Sequence, residues 1–401
     1  MSRNTLLLAA LLLAACGGPS PAPESSTPHE SDATPAEETS PEAHAAAAID
    51  IDDPATCTGC HAPIVAEWQE SMHARAHAKN DPIFSAMRDL RAKKQGEQIV
   101  PKCRVCHTPR DTEDEASPAA MAGVSCATCH NLAAVESSEM AKGSKLLTYA
   151  DDGVLRGPHD IDPGTSPAHG TGPAAPWLTD GQTVCLACHA NTANPKGAPT
   201  CTTGSEIAAS EDPDVSCTSC HMPEVDGASG PFSDRPTHRS HQFLGPHRAW
   251  YQDDPSILAA AMDLDLTWED AALVATLTNQ AGHAFPSGFP GRVAAVVVKG
   301  FDAEGAEVWT ADAPGLLLRK VYVDAEGKPI LPPFADSLKE DTRLQPGAVR
   351  RVTMNPPANV ARAQAALVYR LLPPPAAEAL GMTDAPEAQP KKVKQVEATR
   401  T

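Results

Sequence analysis

Apolar side chains recur along this chain in two rhythms, and the rhythm changes near residue 250. Before that point they are sparse. Ile64, Trp68 and Met72 follow Pro63 at the one-face spacing of a helix, and Pro63 suits a first turn, so a helix is predicted from Pro63 to about Lys79. A second is predicted from Pro82 to Lys94. The rest of 51–250 is rich in Gly, Pro and Asp and reads as loops and short helices with little strand. After Trp250 the rhythm becomes that of short strands: Met262 to Trp268, Ala272 to Asn279, Val293 to Phe301, Ala306 to Thr310, Leu316 to Val323, Val349 to Met354 and Ala365 to Leu371. Turn signals such as Glu269-Asp270 and Asp302 to Gly305 separate them, which predicts a small β-sandwich over 251–372. The Ala/Pro/Glu/Lys stretch 373–401 is expected to be a disordered tail.

The polar-rich half carries the chemistry. Cys-x-x-Cys-His occurs five times, as Cys57, Cys60 and His61; Cys103, Cys106 and His107; Cys126, Cys129 and His130; Cys185, Cys188 and His189; and Cys217, Cys220 and His221. Each reads as a c-type haem attachment site, because two thiols can bond the two vinyl groups of one haem while the following imidazole turns under the ring to ligate iron. Paired cysteines also bind zinc or cycle as redox disulfides. Five copies with His always in the same place favour haem over both. Five covalently bound haem c groups are thus expected, forming the core of their own domain over 51–250. Aromatic residues are only 4% of the chain, so porphyrin would supply flat apolar surface that side chains lack.

Each haem needs a decision on its far face: a second His closes the iron for electron transfer, and an empty position admits small molecules. Outside the motifs and the N-terminal segment the available histidines are His73, His77, His159, His169, His238, His241, His247 and His283, enough to close every site. His73 is favoured over His77, which is expected at the surface. At least one of the cluster His238, His241 and His247 is expected to ligate, and His283 stands where haem and β regions join.

The N-terminus concerns location. Arg3 precedes an apolar run from Leu6 to Ala15 of signal-peptide proportions, ending in Leu13-Ala14-Ala15-Cys16, a lipobox-like sequence that places a lipid on Cys16. An ordinary signal peptide with an incidental cysteine is the alternative. Residues 1–16 are read as signal and anchor, and 17–50 as a disordered tether containing His29 and His44. Gly17, with no Asp there, leans towards the outer membrane of a Gram-negative cell and a periplasm-facing protein. Of twelve cysteines, ten belong to the motifs and one to the anchor, leaving Cys201 and no disulfide framework. Formal net charge is −19, which excludes nucleic acid as a natural partner and favours redox partners with a basic surface. The basic run Arg88, Arg91, Lys93, Lys94, Lys102 and Arg104 reads as a solvated helix face.

The chain resembles the cytochrome c-554 family of multihaem cytochromes, related in haem arrangement to hydroxylamine oxidoreductase and pentahaem nitrite reductase. CTGCHAPIVAEWQESMHARAH at 57–77, GVSCATCH at 123–130, SPAHGT at 166–171 and SCTSCHMP at 216–223 with SHQFLG after it carry the resemblance. NQAGHAFPSGFPGR at 279–292 is similar to the segment that opens a β-rich domain in many such lipoproteins. The resemblance implies a multihaem cytochrome fold of short helices and loops, α+β overall once the β region is added. It implies His73, His169, His241 and His283 as distal ligands, with His247 taken as the fifth. Family tetrahaem proteins have four motifs, nitrite reductases carry a Cys-x-x-Cys-Lys site that is missing here, and Tyr149, Tyr251, Tyr322 and Tyr369 lack the context of a haem crosslink. No triad, phosphate loop or carboxylate pair marks the β region, so no catalytic residue is assigned. The reading is an electron carrier rather than an enzyme; the alternative is a multihaem oxidoreductase acting on a small nitrogen or oxygen compound at one open haem.

Overall fold

The computed structural model describes residues 49–212 and 215–400. Cys16, His29, His44, the signal segment and nearly all of the tether lie outside the described residues. The first half is built of short helices joined by loops, and each attachment motif lies at the end of one of them: Thr58–Glu70 begins at the first motif, while Val100–His107, Cys126–His130, Thr183–His189 and Cys217–His221 each end in the motif His. A helical turn explains the spacing, because residues three and four apart share a face and so both thiols and the imidazole point the same way.

Thr58–Glu70 kinks at His61 (φ −116°, ψ 34°), which leaves Pro63 in the first turn of the segment beyond the kink. It stops nine residues short of the predicted Lys79. The Ser71 hydroxyl donates to the Trp68 carbonyl at 2.6 Å, and Ser71 itself is extended (ψ 162°), so the last turn is capped and left. The backbone of His73 then accepts from Val124 N–H at 3.0 Å instead of continuing a helix. The second helix runs Pro82–Gln95, capped by the Asp81 carboxylate at Phe84 N–H (3.0 Å) and stopped by Gly96.

From Met262 the chain forms antiparallel sheets. Val349–Met354, Ala272–Asn279 and Met262–Glu269 make one of three strands in that order; Lys391–Thr399, Arg362–Arg370, Val293–Phe301 and Glu307–Thr310 make the larger one, with Leu317–Leu318 also on Val293–Phe301. Alternate residues such as Leu264, Leu266, Val296, Val298, Ala365 and Leu367 are buried in one apolar cluster drawn from both sheets. The predicted run Leu316 to Val323 divides: Leu317–Leu318 joins the large sheet and Lys320–Val323 pairs Ser337–Asp341, a strand the apolar rhythm did not announce.

The described part of the expected tail 373–401, up to residue 400, is folded. Pro374–Ala379 is a helix and Lys391–Thr399 pairs with Arg362–Arg370 from Arg362↔Thr399 to Tyr369↔Lys391. The boundary at 372 was misplaced because an edge strand carries charge on its open side, and Lys392, Lys394 and Glu397 mimic a disordered composition while Val393 is buried. Haem and β regions also share structure: Ile83 and Ala249 belong to the β core cluster, and buried Asn194 donates to Pro332 O (2.9 Å) and Ala335 O (2.8 Å).

Candidate haem sites

Four of the five motif histidines face a second imidazole from a distant part of the chain. Ring centroids are 6.4 Å apart for His61 and His169, and 6.2 Å for His73 and His189, for His130 and His241, and for His221 and His283. Two imidazole nitrogens each about 2 Å from one iron, with each centroid about 1.1 Å behind its nitrogen, require a separation of about 6.2 Å. Three of the four pairs sit at that value and the fourth lies close to it.

Tautomers agree. His61 Nδ1 donates to Ser229 O, His107 to Ala76 O (2.9 Å), His130 to Arg156 O (2.6 Å) and His221 to Leu244 O. Among the partners, His169 donates to Gly170 O (2.9 Å), His241 to Arg239 O (2.8 Å) and His283 to Ala284 O (3.0 Å). A carbonyl only accepts, so Nδ1 carries the proton and Nε2 keeps its lone pair for a metal. Burial holds the pKa of His73 down to about 3, with the nearby charges of His189, His221 and His241 adding to it. Burial does the same at His189 and His241, both down to about 4. These imidazoles are neutral at neutral pH, as ligation demands.

Attachment turns touch through sulfur. Cys57 lies against Cys126, Cys106 against Cys188, and Cys185 against Cys217, so the first and third motifs adjoin, and the fourth adjoins both the second and the fifth. As a free thiol Cys57 is drawn down to about 7, chiefly by its contact with Cys126, whose own pKa that contact and burial drive up. Burial alone lifts Cys129 to about 11.

A cavity of about 2180 Å³ runs among these turns, lined by all five motifs and the four partner histidines, and is larger than a single-ligand pocket of roughly 300–1,000 Å³. On its walls the buried donors Trp177 Nε1, Ser125 Oγ and Thr128 Oγ1 have no hydrogen-bond partner among the described residues. Buried polar groups left so need a bound group to satisfy them. Thiol pairs, protonated Nδ1 atoms, paired Nε2 atoms and orphaned donors fit haem c. They do not fit bare zinc: among the described residues no three His, Cys, Asp or Glu side chains converge on one point.

His107 and His247 depart from the pattern. His107 stacks on Phe84 at 3.6 Å and 10°, with no second imidazole in ring contact among the described residues. His247, expected as the fifth ligand, lies parallel to Tyr251 at 6.2 Å and contacts no motif histidine; burial holds its pKa down to about 3. His77 is buried rather than at the surface, and is satisfied by Glu115 O (3.1 Å) and Lys79 N–H (3.1 Å). His238 pairs with Glu67 at 3.3 Å. Glu67, which the sequence did not single out, also accepts from His241 N–H at 2.8 Å and so holds the backbone of the imidazole that faces His130. Cys201 sits 3.2 Å from the Thr203 hydroxyl. The basic run is partly internal, since Arg88 and Arg104 both bind Glu115.

Comparison with known proteins agrees with this geometry. Residues 56–131 match the family described as cytochrome c554 and c-prime. The fold is similar to a penta-heme cytochrome c552 from Thermochromatium tepidum, with a TM-score of 0.72 and 26% identity over 87% of this chain and 98% of that one. No curated protein matches. A family match over the first three attachment turns, a fold shared along most of the chain, and paired imidazoles spaced for iron together mark this chain as a multihaem c-type cytochrome similar to the cytochrome c554 family.

Proposed function

We propose that the chain binds five haem c groups and passes electrons between redox partner proteins. A bound haem would supply a one-electron couple. The chain's residues do the rest. Ten thiols would fix the groups in place, and the sulfur contacts Cys57 to Cys126, Cys106 to Cys188 and Cys185 to Cys217 would keep neighbouring groups close. Four imidazole pairs, at 6.2 to 6.4 Å, close both faces of their sites to substrates, and this is the observation that carries the reading. The fourth motif, touching two others, is a junction. Mass spectrometry of protein made with a cytochrome maturation system tests the count: five added haems are expected, and four or fewer would overturn it.

A second reading rests on His107. With no second imidazole in contact among the described residues, its site is the place for an open iron at which a small nitrogen or oxygen compound reacts. Carbon monoxide added to reduced protein separates the two: a rapid spectral change from one haem supports an open site, and none leaves a pure carrier.

Location and partners form part of the proposal. Cys16 carries a lipid that holds the protein at the periplasmic side of the outer membrane, and a net charge of −19 attracts partners with basic surfaces. Labelled palmitate should enter the wild type and not Cys16→Ser, and detergent should be needed to release only the former.

A further inference from the structure

His283 reaches its site from the β region, on a loop that a buried carboxylate holds. Glu206, on the short helix Thr203–Ala208 between the fourth and fifth motifs, is only 6% exposed. One carboxylate oxygen accepts from Ala284 N–H (3.2 Å) and Ser287 Oγ (2.7 Å), both on the His283 loop. Its other oxygen accepts from the Thr202 hydroxyl and pairs with Arg343 at 2.8 Å. Arg343 in turn grips Asp341 through two nitrogens, at 2.9 and 2.8 Å, and donates to Pro286 O at 3.2 Å, again on that loop. Lys320 completes the group, donating to Thr202 Oγ1 (2.9 Å) and Thr200 O (3.1 Å). Two anions and two cations therefore balance beside the His283 loop, with no other assigned task.

We propose that Glu206 is a positioning residue for the ligand pair His221 and His283: its carboxylate locks residues 284–287 so that His283 meets His221 nearly parallel (18°), and its charge, set against Arg343 and Lys320, fixes the reduction potential at that site. The inference rests on the reading that this pair holds a haem. A ferric site that gains an electron is favoured by nearby positive charge and disfavoured by negative charge, so the two charge signs in the group act in opposite directions.

Redox titration of the full-length holoprotein, followed by visible and paramagnetic resonance spectra, tests this in Glu206→Gln and Lys320→Gln. Glu206→Gln removes a negative charge, so one component of the titration should move to higher potential while the others stay, and the low-spin signal of a nearly parallel imidazole pair should change. Lys320→Gln removes a positive charge at the rim of the same group and should move the same component down. Opposite shifts are what loosened packing alone does not produce. Unchanged potentials in both variants, or movement in the same direction, overturn the proposal. Should Glu206→Gln fail to accumulate, the downward shift in Lys320→Gln decides alone. Wild-type protein lacking haem at Cys217 and Cys220 would sink the underlying reading as well; a full haem complement with immobile potentials sinks only this inference.

Discussion

Gly123 shows how much a single position decides. It has φ +67°, and a Cβ there would meet the His73 carbonyl oxygen at 2.6 Å, so the segment GVSCATCH begins with glycine because backbone must pass against the His73 turn. Gly123→Ala is expected to lower the melting temperature and weaken the low-spin signal of the His73 and His189 pair; a variant that matches wild type in both would refute the crowding argument. The buried imidazoles carry a pH consequence. Their folded pKa values lie below the ordinary 6.5, at about 3 for His73 and about 4 for His189 and His241. The unfolded chain takes up protons near 6.5 that the folded one refuses, so this contribution to stability is whole above 6.5 and is lost as pH falls from there towards 3. Urea midpoints should drop between pH 7.5 and pH 5, and a flat profile would count against neutral buried imidazoles. The ten thiols and five motif histidines were legible from spacing, since their chemistry is local to one helical turn. Glu67 and Glu206 were not, because each finds its partner far along the chain: His241 N–H for one and Arg343 for the other.

Elements divide in the same way. Strands Ala272–Asn279 and Val293–Phe301 were readable to the residue, since apolar alternation with turn residues at both ends is a local signal. The helix through His73 and His77 was overextended because its end is set by Val124 N–H and the Ser71 hydroxyl rather than by any breaker in the sequence. Lys391–Thr399 was missed for the opposite reason: charge on an open edge hides a strand whose existence depends on Arg362–Arg370 beside it. Truncation after residue 372 should therefore lower the melting temperature and expose the edge of Arg362–Arg370 to aggregation; unchanged melting would show that the last strand adds nothing. Leu367 is fully buried at the centre of that neighbouring strand, and Leu367→Ala should cost about 2–5 kcal/mol by chemical denaturation.

At the scale of the molecule, the β region is joined to the haem region by more than a linker, because it brings His283 against His221 of the fifth motif and shares a core with Ile83 and Ala249. Loss of His283 should leave one haem open on its far face: His283→Ala is expected to gain a high-spin ferric signal and carbon monoxide binding beyond the wild type, whereas His247→Ala should add neither. The order of the attachment turns in space, first beside third and fourth between second and fifth, is likewise a property of the folded chain. What the amino-acid sequence determined by itself was everything within the span of a turn or a strand: five thiol pairs each followed by an imidazole, the change from helix to strand near 250, and an acidic surface. Tertiary structure alone decided which imidazole meets which, that His107 and His247 stay apart from that scheme, and that a charged C-terminal stretch becomes a strand. The reason is physical: attachment is a covalent demand on neighbouring residues, while a distal ligand or an edge strand exists only when packing brings remote segments within a few ångströms.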